Sequence, residues 1–97
     1  MSITKADGGY QQNPDDPTTY TLFFDEDTAG RPALGLLLWT ETDNVEVYVD
    51  TIGSSSAPLT IVAGAEPVPI SDITAGIRKA YVRGAGTAQF SWVVSMR

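Results

Sequence analysis

Apolar and polar residues alternate with a period of two along much of this chain, the spacing of half-buried β-strands. The clearest case closes the sequence. Ala88, Phe90, Trp92 and Val94 share one face, and Gln89 and Ser91 the other. Just before them, Ala80 and Val82 oppose Lys79, Tyr81 and Arg83. Gly84-Ala85-Gly86 stands between the two runs, which predicts a hairpin over 77–95 with Gly86 as the left-handed loop residue. A three-residue loop sets Val82 opposite Ala88 and Ala80 opposite Phe90, matching small to large. Arg78 then falls across from Trp92, at the sheet rim and over the indole.

The other elements follow from the same pattern. Residues 1–18 are polar and rich in Gly, Pro, Asn, Asp and Gln, with Ile3 and Tyr10 as the only large apolar anchors. They predict an arm or loop, with 19–97 as a single β domain. Thr19 to Phe24 predicts a strand with Tyr20, Leu22 and Phe24 on one face. Leu34 to Thr40 is the most apolar strand, with Leu34, Leu36 and Leu38 on one side and Leu37 and Trp39 on the other. Glu41 to Asn44 predicts a hairpin turn into a strand where Val45, Val47 and Val49 alternate with Glu46, Tyr48 and Asp50. A Gly-Ser-Ser-Ser loop follows, then a short strand with Leu59, Ile61 and Ala63 on one side. Pro67 and Pro69 restrict 66–70 to an edge or polyproline-like segment. Ser71 predicts the cap of one helical turn ended by Gly76, with Ile73 and Ile77 packing inward. Six or seven short strands separated by turn signals predict an all-β fold, a small antiparallel β-sandwich of jelly-roll or Ig-like type or a small barrel.

Composition narrows the chemistry. The chain has 97 residues, no cysteine and no histidine. Disulfides and thiolate metal sites are excluded, and the commonest general base is missing. A chain this short buries a modest core, so association is a plausible supplement. No apolar run approaches the roughly 18 residues of a membrane span, and the first residues lack the apolar region of a signal peptide.

The net charge is −6, and it is unevenly placed. Residues 1–50 hold ten of the twelve acids but only Lys5 and Arg31 among the bases. An acidic chain is a poor partner for nucleic acid, whose binding rests on neutralised phosphates. The asymmetry reads either as a solvated acidic surface or as head-to-tail contact, the acidic half of one copy meeting Arg78, Lys79 and Arg83 of the next. Asp25, Asp27 and Gly30 resemble the start of a calcium loop, but Ala29 stands at a ligand position and no glutamate closes the loop, so turn chemistry explains them. Ser54 to Ser56 have no neighbouring base, and the acids cluster in turns, so neither nucleophilic nor paired-carboxylate catalysis is indicated. No cofactor motif is present.

Two functional expectations remain. Residues 45–97, with the Gly-Ser-Ser-Ser loop, the segment PLTIVAGAEPVPI and the closing RKAYVRGAGTAQFSWVVS, resemble small β-rich virion proteins of tailed bacteriophages. That resemblance implies a non-enzymatic capsid-decoration or accessory protein, assembled in the host cytoplasm, oligomeric or bound to a larger shell protein. Leu37, Trp39, Tyr48, Arg78, Lys79 and Arg83 are the candidate interface residues. The alternative is a carbohydrate- or receptor-binding module with Trp39, Tyr48, Tyr81 and Gln89 as its platform.

Overall fold

The computed structural model describes residues 3–6, 9–12, 18–51, 54–71, 76–85 and 88–96. Ten strands and one helical turn occur among them: β1 (Ile3–Ala6), β2 (Gly9–Gln12), β3 (Thr21–Asp25), α1 (Glu26–Ala29), β4 (Ala33–Thr40), β5 (Val45–Thr51), β6 (Ser54–Ser55), β7 (Leu59–Ile61), β8 (Val68–Ser71), β9 (Ile77–Gly84) and β10 (Phe90–Met96). All of the pairings are antiparallel. The fold is all-β, as the alternation predicts.

The strands form two groups. In the first, β10 lies between β2 and β4, with β1 beyond β2 and β8 on the far side of β4. In the second, β9 lies between β3 and β5, and β5 carries β6 and β7 on its outer side. Among the described residues, one strand pairing, Ala33 with Ile77, joins the groups. Both groups contribute to one core. Leu36, Leu38, Phe90 and Trp92 come from the first, and Phe23, Phe24, Val45, Val47, Val49, Ala80 and Val82 from the second.

This arrangement overturns the 77–95 hairpin. The inner faces are as expected, since Ala80, Val82, Ala88, Phe90 and Trp92 are all buried. Yet β9 pairs with β3 and β5, and β10 with β2 and β4. The chain therefore passes from one group to the other between β9 and β10. Alternation states which face is buried, not which strand lies alongside. The expected left-handed residue, Gly86, lies outside the described residues, and Gln89 takes a positive φ of 52°. Arg78 does not cover Trp92; it pairs with Glu26 of α1. The turn at 41–44 is likewise a crossing, because β4 does not pair with β5.

The two crossings lock onto each other. Thr40 is buried, and its Oγ1 lies 2.6 Å from the Ala88 carbonyl oxygen and 2.8 Å from that of Asp43. Its single proton is shared between two acceptors. The Glu41 and Thr42 N–H groups also donate to the Ala88 carbonyl, at 3.3 and 3.4 Å. The Asn44 carboxamide oxygen accepts from the Ala63 N–H at 2.8 Å, which ties in the chain after β7.

Three local departures from simple alternation matter. A register shift in β3 lets both Phe23 and Phe24 turn inward and leaves Leu22 exposed, against the expected face of Tyr20, Leu22 and Phe24. Phe23 then meets Phe90 edge-on at 5.0 Å and Trp92 at 4.9 Å, joining the two groups across the core. The segment expected as an arm contains the β1–β2 hairpin, paired through Tyr10, Gln11 and Gln12 to β10. Its sequence alternates too weakly to announce strands; they form because β10 offers an open edge. Third, α1 occupies the calcium-like turn. Asp25 caps it, its Oδ1 accepting from the Asp27 N–H at 3.0 Å, and Gly30 ends it at φ 88°. The helical turn expected at 71–75 falls largely outside the described residues. Of the expected face of β7, Ile61 is buried and Leu59 is exposed. Pro69 lies in β8, a true edge strand, as its ring requires.

Phe90→Ala should cost about 3–5 kcal/mol of stability, because it empties the centre of the aromatic cluster. Val62→Ala, at a half-exposed position, should cost well under about 1 kcal/mol. Urea denaturation of both variants checks the pair. Deleting residues 1–16 should lower the melting temperature and promote self-association, since it strips β2 from the edge of β10. Unchanged melting and a monomeric product would remove the hairpin from the domain.

Candidate functional site

The two strand groups present very different outer faces. On β8, β4 and β10 the residues opposite the core-facing set are Gly35, Leu37, Trp39, Pro69, Ser71, Ser91, Val93 and Ser95. The register places Pro69 beside Leu37, Leu37 beside Val93, and Trp39 beside Ser91. None of these eight is charged. Leu37 is 37% exposed, and Trp39 and Val93 are half-buried. A would-be Cβ on Gly35 would lie 3.1 Å from the Ile70 carbonyl oxygen, so the glycine lets β8 approach closely.

The outer face of β3, β9 and β5 is dominated by aromatics and charge. The register sets Arg83 against Glu46, Tyr81 against Tyr48, and Lys79 against Asp50. The Arg83 guanidinium donates twice to Glu46 Oε2, at 2.6 and 3.1 Å. The Tyr20 hydroxyl donates to the same oxygen at 3.0 Å. Arg83 also lies over the Tyr20 ring, 4.7 Å from its centroid. Tyr48 stacks on Tyr81 at 4.7 Å and 13°, and Tyr20 meets Tyr48 edge-on at 4.7 Å. On the far side of β9, Asp25 registers with Lys79 and Leu22 with Tyr81.

The titration of these groups follows their contacts. Hydrogen bonds from Arg83 and then Tyr20 hold the Glu46 carboxyl below the ordinary carboxylate value. Partial burial, and then the bond to Glu46, raises the Tyr20 phenol. Burial, and then the charge of Asp50, raises Tyr81.

The candidate residues thus divide. Leu37 and Trp39 share the uncharged face, while Tyr48, Lys79 and Arg83 share the tyrosine face. Arg78 reaches the ion pair with Glu26 from the end of β9. The expected sugar platform is not assembled as a unit. Trp39 lies on β4, whereas Tyr48 and Tyr81 turn one ring face against each other. The head-to-tail charge contact finds its partners within the chain, because Glu26 and Glu46 from the acidic half bind Arg78 and Arg83 directly. Tyr20 and Glu46 were not expected at the site. A signal for them exists: Glu-x-Tyr-x-Asp at 46–50, set antiparallel to Lys-x-Tyr-x-Arg at 79–83, matches charge to charge and ring to ring.

Among the described residues, no three acidic side chains group as a metal site. No helix among them is long and apolar enough to cross a membrane. No protein-family model, curated protein or solved structure matches the chain.

The Glu46 contacts give a pH dependence of known sign. A carboxyl whose folded value lies below its unfolded value adds stability above the unfolded value, and loses it as pH falls through the folded value. Glu46→Gln should therefore flatten the acid limb of the stability profile, measured as melting temperature between pH 2 and 7. An acid limb identical to that of the parent would mean that the cluster is fully screened by solvent.

Proposed function

We propose that this chain is a non-enzymatic structural protein that docks through the outer face of β8, β4 and β10 onto a larger protein shell. The observation that carries the reading is a sheet face without a charge on a chain of net charge −6. Charged residues are depleted at interface centres, and an aromatic anchor such as Trp39 is enriched there. Exposed leucine beside proline and valine, with small serines around them, gives a flat apolar centre and a polar rim. The absence of histidine and cysteine from the sequence agrees with a role without catalysis.

The setting of a bacteriophage virion, with assembly in the host cytoplasm, is supported by the resemblance of residues 45–97 to tailed-phage accessory proteins. Self-association through the same face, without a shell, is the competing arrangement. Arg78 and Arg83 are paired within the chain, and this docking reading does not draw on them.

Trp39→Ala should dissolve the assembly while circular dichroism keeps its strand signal, and Trp39→Asp should do so more completely. An anchor of this type contributes about 2 kcal/mol or more. Light scattering and co-sedimentation with shells read the result. Added salt should change docking little, because the face carries no ions to screen. Strong loss of binding in salt, or indifference to both Trp39 variants, would move the contact to the tyrosine face.

A further inference from the structure

A polar cleft of about 430 Å³ opens beside the tyrosine face, lined by Asp50, Thr51, Ser54, Ser55, Arg78, Lys79 and Tyr81. A register irregularity builds it. Lys79 pairs with Asp50, but Ile77, not Arg78, pairs with Thr51. Arg78 is therefore an extra residue on β9, and strict alternation fails there. Ile77 is fully buried, while Arg78 is exposed and lines the same cleft as its neighbour Lys79. Regular pairing would have sent one of the two cations into the core. Bulges of this kind re-aim side chains beside functional sites.

The opposite wall is the β5–β6 hairpin. The Ser55 hydroxyl donates to Asp50 Oδ1. The Thr51 and Ser54 hydroxyls lie 2.9 Å apart. Arg78 is paired with Glu26, whereas Lys79 forms no ion pair among the described residues. These two cations are faced by carboxylates on both sides, Asp50 from β5 and Asp25 and Glu26 from β3 and α1. Neither sign of charge has the cleft to itself, and what remains is a dense set of donors and acceptors beside a phenol ring. An anion would have to sit against Asp50, and a cation against Lys79. A ligand that both accepts and donates hydrogen bonds at several adjacent positions, and carries no net charge, satisfies both.

We propose that this cleft binds a neutral saccharide, with Lys79 and Asp50 engaging neighbouring sugar hydroxyls and Tyr81 supplying the apolar surface. The site is separate from the docking face, and it does not depend on that reading.

The test is titration of the full chain, by calorimetry and saturation-transfer NMR, with methyl glycosides of glucose, galactose, mannose and N-acetylglucosamine. Glucuronate and inorganic phosphate serve as anionic comparators. Saturable binding to at least one neutral glycoside is expected. Lys79→Met and Asp50→Asn should each weaken it by about ten-fold or more, the loss of one hydrogen-bonded group, with melting unchanged. If Asp50→Asn fails to fold, Ser55→Ala, at an exposed position, takes its place. Trp39→Ala should leave sugar binding intact. No saturable binding to any neutral glycoside, binding of glucuronate or phosphate alone, or binding indifferent to the Lys79 variant each overturns the proposal.

Discussion

Phe23 meets Phe90 and Trp92 across the core, and the rest of the fold leans on that contact. Among the described residues, the strands of the two groups pair only where Ala33 meets Ile77, and the Gly64 N–H after β7 adds one bond to the Thr40 carbonyl at 2.9 Å. Most of what keeps the described parts of the groups together is side-chain burial, and the largest rings in it belong to this trio. The contact exists because β3 breaks register at Phe23. At the Ala33–Ile77 junction the chain is tight. Gly76 adopts φ 83°, and a Cβ there would lie 2.7 Å from the Pro32 side chain. A hydrogen-bonded seam one pair wide thus needs both a glycine and an aromatic clamp.

Much of the burial was legible in the sequence, and much of the pairing was not. Val45, Val47, Val49, Leu36, Leu38, Ala80, Val82, Phe90 and Trp92 were all placed on inner faces by period two alone, and all are buried. That logic has no term for neighbours. Gly84-Ala85-Gly86 is good hairpin chemistry, but residues 79–83 gain more from lying beside 46–50, where opposite charges and paired rings coincide. Bulges escaped for a related reason. At Phe23 and at Arg78 one inserted residue changes the face, and no local composition marks it. The polar N-terminal segment pairs because an edge is available, which is a property of another part of the chain.

The same pairing explains the charge pattern. The lopsided distribution suggested contact between molecules. The fold instead brings β9, the basic strand, between β5 and the β3–α1 unit, which carry Glu46, Asp50, Asp25 and Glu26. The asymmetry along the sequence becomes local balance in space. Exposed pairs of this kind contribute little stability each. Their stronger effect is on choice of neighbour, since like charges across from β9 would oppose the pairing. What is left uncharged is the outer face of β8, β4 and β10, around Leu37 and Trp39.

The position of β10 has a consequence for how quickly the chain reaches this state. Trp92 pairs with Tyr10 on one side and with Leu38 on the other. The first of those pairings closes a loop that spans most of the chain. Such closure loses entropy before any burial compensates for it. Topologies dominated by distant pairings reach the native state in milliseconds to seconds, orders of magnitude more slowly than local ones. Until β10 arrives, the edges of β2 and β4 are open to other chains. In this topology the closure that loses most entropy is also the one that covers the open edges of β2 and β4.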